Sequence, residues 1–170
     1  FAKSCTKRPV KAVLPGPYTF ADVSEDRHFK SLRKFTLAEA EILNQEAKAL
    51  ARAGASLIQF DEPSLAYGRK PDAKLAVEAL RIATAGLKAK TAVSTYFGGL
   101  NGSLALLMKA PVDIIGIDLV SDPKALAGLK RVKIKFGVMS NEGFLKLRKE
   151  LFQKRKMLSC HIDLVIVFPR

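Results

Sequence analysis

A chain of 170 residues with 48% apolar content and a mean hydropathy of +0.08 has enough material for one folded core, which excludes a disordered polymer. Its apolar runs are short and broken by charge, too short to span a bilayer. A formal charge of +13 draws anions, so nucleic acid, an anionic surface and a polyanionic small molecule are the partner classes to weigh.

Strand-like and helix-like stretches alternate along the chain. "KAVLPGP" (11–17) is a short apolar run ended by Pro-Gly-Pro. "TLAEAEILNQEAKALARAG" (36–54) predicts a helix: Thr36 and Glu39 have capping-box spacing, Leu43, Ala47, Leu50 and Ala51 share a face, and Gly54 stands where a terminator belongs. "ASLIQFDEP" (55–63) follows as a strand ended by Pro63, which lacks a backbone donor. "KPDAKLAVEALRIATAGLK" (70–88) predicts the next helix, with Pro71 in its first turn and Gly86 near its end. "TAVSTYF" (91–97) is β-branched and aromatic and reads as a strand. "NGSLALLMKA" (101–110) is a short helix stopped by Pro111, and "VDIIGIDLV" (112–120) is a buried strand. Asp122 can cap a helix beginning at Pro123. "VKIKFGVMS" (132–140) is a strand, "EGFLKLRKELFQKRKM" (142–157) a basic amphipathic helix, and "IDLVIVFP" (162–169) a last strand.

Six strands joined by helices, with continuous rather than alternating apolar runs, imply an α/β fold built on a parallel sheet. No glycine-rich phosphate loop follows any strand, which argues against a nucleotide-binding open sheet. A closed (β/α)8 barrel needs eight strands, so six would leave two edges with unpaired backbone groups. Residues 124–156 carry eleven Lys/Arg against Glu142 and Glu150. That segment is either a solvated basic face or an anion-binding one. A nucleic-acid role rests on charge alone, since no recognition motif accompanies it.

Polar residues gather at the C-terminal ends of the expected strands, the rim where parallel α/β folds build sites. Asp61 and Glu62 end the second strand, Ser94 and Thr95 lie late in the third, Asp118 late in the fourth, and Ser140 and Asn141 follow the fifth. Such acids are either solvated strand ends or ligand-holding groups. His28 sits in a polar loop. Cys160 and His161 are adjacent, so in a strand they face opposite ways and do not share a metal. Cys5 and Cys160 form no disulfide framework and read as reduced thiols of a cytoplasmic protein.

Several stretches, in order, resemble one family. "KAVLPGPYTF", "ASLIQFDEPSLAY", "STYFGGLNGSLALLMKAPVDIIGIDLV" and "KFGVMS" are similar to segments of cobalamin-independent methionine synthase, and "LSCHIDLVIVFPR" is a looser match. The wording "TYFGGL" and "GIDLV" is most like the amino-terminal of that enzyme's two barrels. The resemblance implies a single partial TIM-barrel domain over 1–170, supplying about strands three to eight of a (β/α)8 barrel, with the first two upstream. It implies methyl transfer from 5-methyltetrahydrofolate polyglutamate to homocysteine in methionine biosynthesis, in an enzyme whose zinc sits in the carboxy-terminal barrel. The zinc motif of that barrel is not matched, because Ser94 and Tyr96 stand at its positions, so no metal ligand is expected here. By motif match Asp61 would hold the amino-acid ammonium group, with Glu62, Ser94 and Asp118 as further substrate-binding candidates. Tyr67 stands where the catalytic barrel has a pterin-binding glutamate. The resemblance leaves three roles open: the non-zinc barrel of a methyltransferase, beside a second zinc-bearing barrel chain or domain; a non-catalytic barrel that binds a folate tail or a partner subunit; and, least supported, nucleic-acid binding.

Overall fold

The computed structural model describes residues 1–68, 70–100, 102–118, 121, 122 and 125, together with the backbones of the strands 135–139 and 164–168. The expected basic helix 142–157, Ser140, Asn141, Cys160 and His161 lie outside the described residues, as does most of the basic segment 124–156.

All six expected strands form. They are β1 (Lys11–Pro15), β2 (Leu57–Asp61), β3 (Lys90–Thr95), β4 (Ile114–Asp118), β5 (Lys135–Met139) and β6 (Leu164–Phe168). Between them run α1 (Pro17–Val23), α2 (Leu32–Arg52), α3 (Ser64–Tyr67), α4 (Ala73–Ala83) and α5 (Leu104–Leu107). The first four strands pair in parallel and in sequence order, as crossover helices require.

The last two strands depart from the parallel, sequential order expected of a barrel. The sheet order is β1-β2-β3-β4-β6-β5, and β6 is antiparallel to both neighbours. Composition gives a reason for that order. β6 reads "LVIVF", apolar at every position, and suits a place between two strands. β5 reads "KFGVM", and its lysine and glycine suit an edge.

One face of the parallel strands carries the core. Ile58, Phe60, Val93, Ile115 and Ile117 are at most 1% exposed and pack against Leu43 and Ala47 of α2 and against Ala76 and Leu80 of α4. Each large side chain so buried contributes about 2 kcal/mol. Asn44 ties α2 to the end of α4, its amide donating to the carbonyls of Ala83 and Ala85 at 2.9 Å each.

Two helix starts differ from expectation. α2 begins a turn early, at Leu32, capped by Ser31, whose hydroxyl accepts from the Lys34 N–H. Asp26 fixes that cap by accepting from the backbone N–H groups of Phe29 and Ser31. Thr36 and Glu39 are therefore interior, buried residues of α2, and their capping-box spacing is not used. In α4 the cap is Asp72, which accepts from the Leu75 N–H, so Pro71 precedes the helix. Gly54 ends α2 as expected, at φ +97°.

Candidate functional site

The pleat and the register bring the rim residues together. Pro15, Asp61, Ser94 and Gly116 form one row across β1 to β4. Asp118 lies two residues further along β4, on the same face as Gly116. The row is extended past the strands by Gly16 N–H donating to the Asp61 carbonyl and Glu62 N–H donating to the Ser94 carbonyl, both at 2.7 Å.

Asp61 lies on the sheet face opposite Phe60, away from the helices. A polar chain runs along that face. Lys11 Nζ donates to Gln59 Oε1 at 2.8 Å, Gln59 Nε2 donates to Asp61 Oδ1 at 2.7 Å, and the Tyr96 hydroxyl donates to Asp61 Oδ2 at 3.1 Å. Burial and the neighbouring Asp61 charge push the Tyr96 phenol up to about 12, so it remains a donor at physiological pH. A carboxylate offers about four acceptor positions, and these two bonds leave room for a cationic donor. Asp61 is half-buried, which keeps it accessible.

Glu62 points the other way. It is fully buried, and its carboxyl accepts from the N–H groups of Tyr18 at 3.0 Å and Thr19 at 2.7 Å, in the first turn of α1. Pro17 opens that helix without a donor of its own, and Gly16 leaves the space the carboxyl fills. Burial pushes the Glu62 carboxyl up to about 7, against the opposing pull of the bonds from Thr19 and Tyr18. Glu62 thus positions the β1 end rather than facing the open side.

Ser94 is buried in the row beside Asp61. Asp118 is buried and organises two loops: it accepts from Phe97 N–H at 3.3 Å, from Ser121 N–H at 3.1 Å and from the Ser121 hydroxyl at 2.7 Å. Phe97, held at φ +68°, is exposed beside Tyr96 at a ring separation of 4.7 Å. Tyr67, about half exposed, accepts from the Ser64 hydroxyl at 3.2 Å. The rim therefore joins Asp61 to Gln59 and Tyr96, which the sequence reading did not assign to it. Gln59 could have been found: it is the one polar residue inside "LIQF", two before Asp61 and so on the same face.

Zinc does not fit this donor set. Among the described residues no group of three His, Cys, Asp or Glu side chains is placed to hold a metal. The positions of interest carry Ser94 and a Tyr96 already bonded to Asp61, whereas zinc favours thiolate and imidazole.

The family model of the cobalamin-independent synthase N-terminal domain matches residues 2–145. The chain belongs to the cobalamin-independent methionine synthase family. Within it, methionine synthase of Saccharolobus islandicus strain L.S.2.15 is 35% identical over 133 residues, covering 77% of this chain and 40% of the relative. Methionine synthase of Sulfurisphaera tokodaii is 32% identical over 120 residues, or 70% of this chain and 35% of the relative. Among solved structures of the family, a B12-independent methionine synthase from Shewanella sp. W3-18-1, in complex with selenomethionine, superposes with a TM-score of 0.58 at 34% identity. That match covers 66% of this chain and 38% of the other. The chain thus spans about two-fifths of the length of these family members. No described helix is long and apolar enough to cross a membrane.

Proposed function

We propose that this chain serves methyl transfer from 5-methyltetrahydrofolate polyglutamate to homocysteine in methionine biosynthesis, as the barrel that carries no zinc. In this reading β1 to β4 are consecutive strands of a (β/α)8 barrel. Their C-terminal rim holds the amino-acid end of homocysteine or methionine, and the Asp61 carboxylate takes the ammonium group. The supporting observation is Asp61 itself, half-buried on the open sheet face and oriented by Gln59 and Tyr96. A fixed carboxylate at a strand end makes a charge-assisted bond to an ammonium without reorganising. Ser94 and Asp118 shape the floor and the neighbouring loops. A zinc-bearing domain or partner chain would supply the metal that makes the homocysteine sulfur a nucleophile.

Calorimetry with L-methionine and L-homocysteine tests this reading. Asp61→Asn should abolish binding with the fold intact by circular dichroism. Tyr96→Phe, which removes one orienting donor, should weaken it about tenfold, the equivalent of one hydrogen bond to a charged group. An Asp61→Asn dissociation constant equal to that of the parent returns Asp61 to a solvated strand end.

A further inference from the structure

The opposite end of the sheet has the reverse electrostatic character. An open cleft of about 700 Å³ lies where β2 and β3 begin and where α2 and α4 end. Lys48, Arg52, Lys88 and Lys90 line it, and its lining contains no acidic residue. None of the four is in an ion pair among the described residues. The acids Asp61, Glu62, Asp118 and Asp122 lie at the far ends of the strands, and Asp113, which precedes β4 at this end, is outside the lining and accepts from the Thr91 N–H at 2.7 Å and the Thr91 hydroxyl at 3.1 Å.

Cations are common at helix C-termini, where they offset the dipole. That role does not account for this set. Lys88 and Lys90 stand on the approach to β3 and its first residue, outside any helix. Lys48 extends over Gly86, the turn after α4, but the Ala83 and Ala85 carbonyls there already accept from Asn44. Four like charges around one concave, acid-free space repel one another, and a multivalent anion relieves that repulsion. Ser56 and the loop at Gly86 complete a lining that has both charge and room for a small ligand.

We infer that this cleft is a binding site for a compact multivalent oxyanion, bound at the face opposite the Asp61 rim. The chemistry is that of a chain of phosphates or carboxylates spanning Arg52 and Lys48 on one side and Lys88 and Lys90 on the other. Lysine supplies point charges to such a ligand, and arginine a planar fork.

The test is calorimetric titration of the intact chain with inorganic tripolyphosphate and, separately, with triglutamate, at low and at physiological salt. Lys88→Gln and Lys90→Gln replace exposed side chains, so the fold should be retained. Each should weaken binding about threefold, the scale of an exposed ion pair. Lys74→Gln, an exposed lysine at the start of α4, should leave it unchanged. Binding of tripolyphosphate alone assigns a phosphoanion, and binding of triglutamate alone assigns a carboxylate chain; either supports the site. No binding of either overturns it. So does equal loss in Lys74→Gln and Lys88→Gln, or a single-stranded RNA oligomer bound more tightly than both small anions, because those results describe a diffuse basic surface.

Discussion

Replacing Glu62 by glutamine probes the link between the sheet and α1. The carboxyl is fully buried, and burial lifts it from the ordinary 4.5 to about 7. At roughly 1.4 kcal/mol per pH unit that difference amounts to about 3 kcal/mol. The unfolded chain ionises Glu62 above about 4.5, while the folded chain keeps its proton to about 7. The folded state therefore binds more protons in that window, and stability falls as pH rises through it. This contribution is fully present below 4.5 and is lost above 7. Glutamine has the same shape and no charge to bury, so Glu62→Gln lacks this dependence. Denaturant unfolding of both proteins between pH 4.5 and 8 gives the measurement, and every other titrating group cancels in the difference. The variant should gain about 3 kcal/mol on the parent between the two ends of the range. A difference that stays constant with pH refutes the reasoning. One that moves the other way means the N–H bonds from Tyr18 and Thr19 outweigh the cost of burying the charge.

The same contact predicts the behaviour of Gly16. A methyl group there would overlap the Glu62 carboxyl, so Gly16→Ala should cost about 3 kcal/mol by urea unfolding, and less in a Glu62→Ala background where the space is open. Asn44→Ala removes both side-chain bonds to the Ala83 and Ala85 carbonyls and should lower stability by about 2 kcal/mol, with hydrogen exchange rising first at the C-terminal end of α4. If exchange rises evenly along α4, Asn44 is packing there rather than tying the helix end.

The placement of the strands was legible because it depends on local runs. "LIQFD", "AVST" and "IIGID" are mostly apolar or β-branched, and each forms strand where expected. The rim was legible for a related reason: parallel strands expose their ends on one side, so acids after those runs fall there. Which way each acid turned was not legible. Asp61 and Glu62 are neighbours, and period-two alternation says only that they diverge. Glu62 became the buried one because Gly16 and the start of α1 stand beside it, and those residues lie more than forty positions away in sequence.

The capping of α2 shows the same limit on a smaller scale. Thr36 and Glu39 had the right spacing, but Ser31 with Asp26 behind it offered a cap a turn earlier, and extending the helix buried Thr36 and Glu39.

By itself, then, the amino-acid order determined the alternation of strand and helix, the parallel pairing of the first four strands and the collection of polar groups at one rim, all of which follow from periodicity and chain connectivity. Only the tertiary structure decided that β6 lies antiparallel between β4 and β5, that Tyr96 and Gln59 orient Asp61, and that four cations face one acid-free cleft. Those outcomes depend on residues brought together across the sheet, and neither local propensity nor spacing encodes which distant partner arrives.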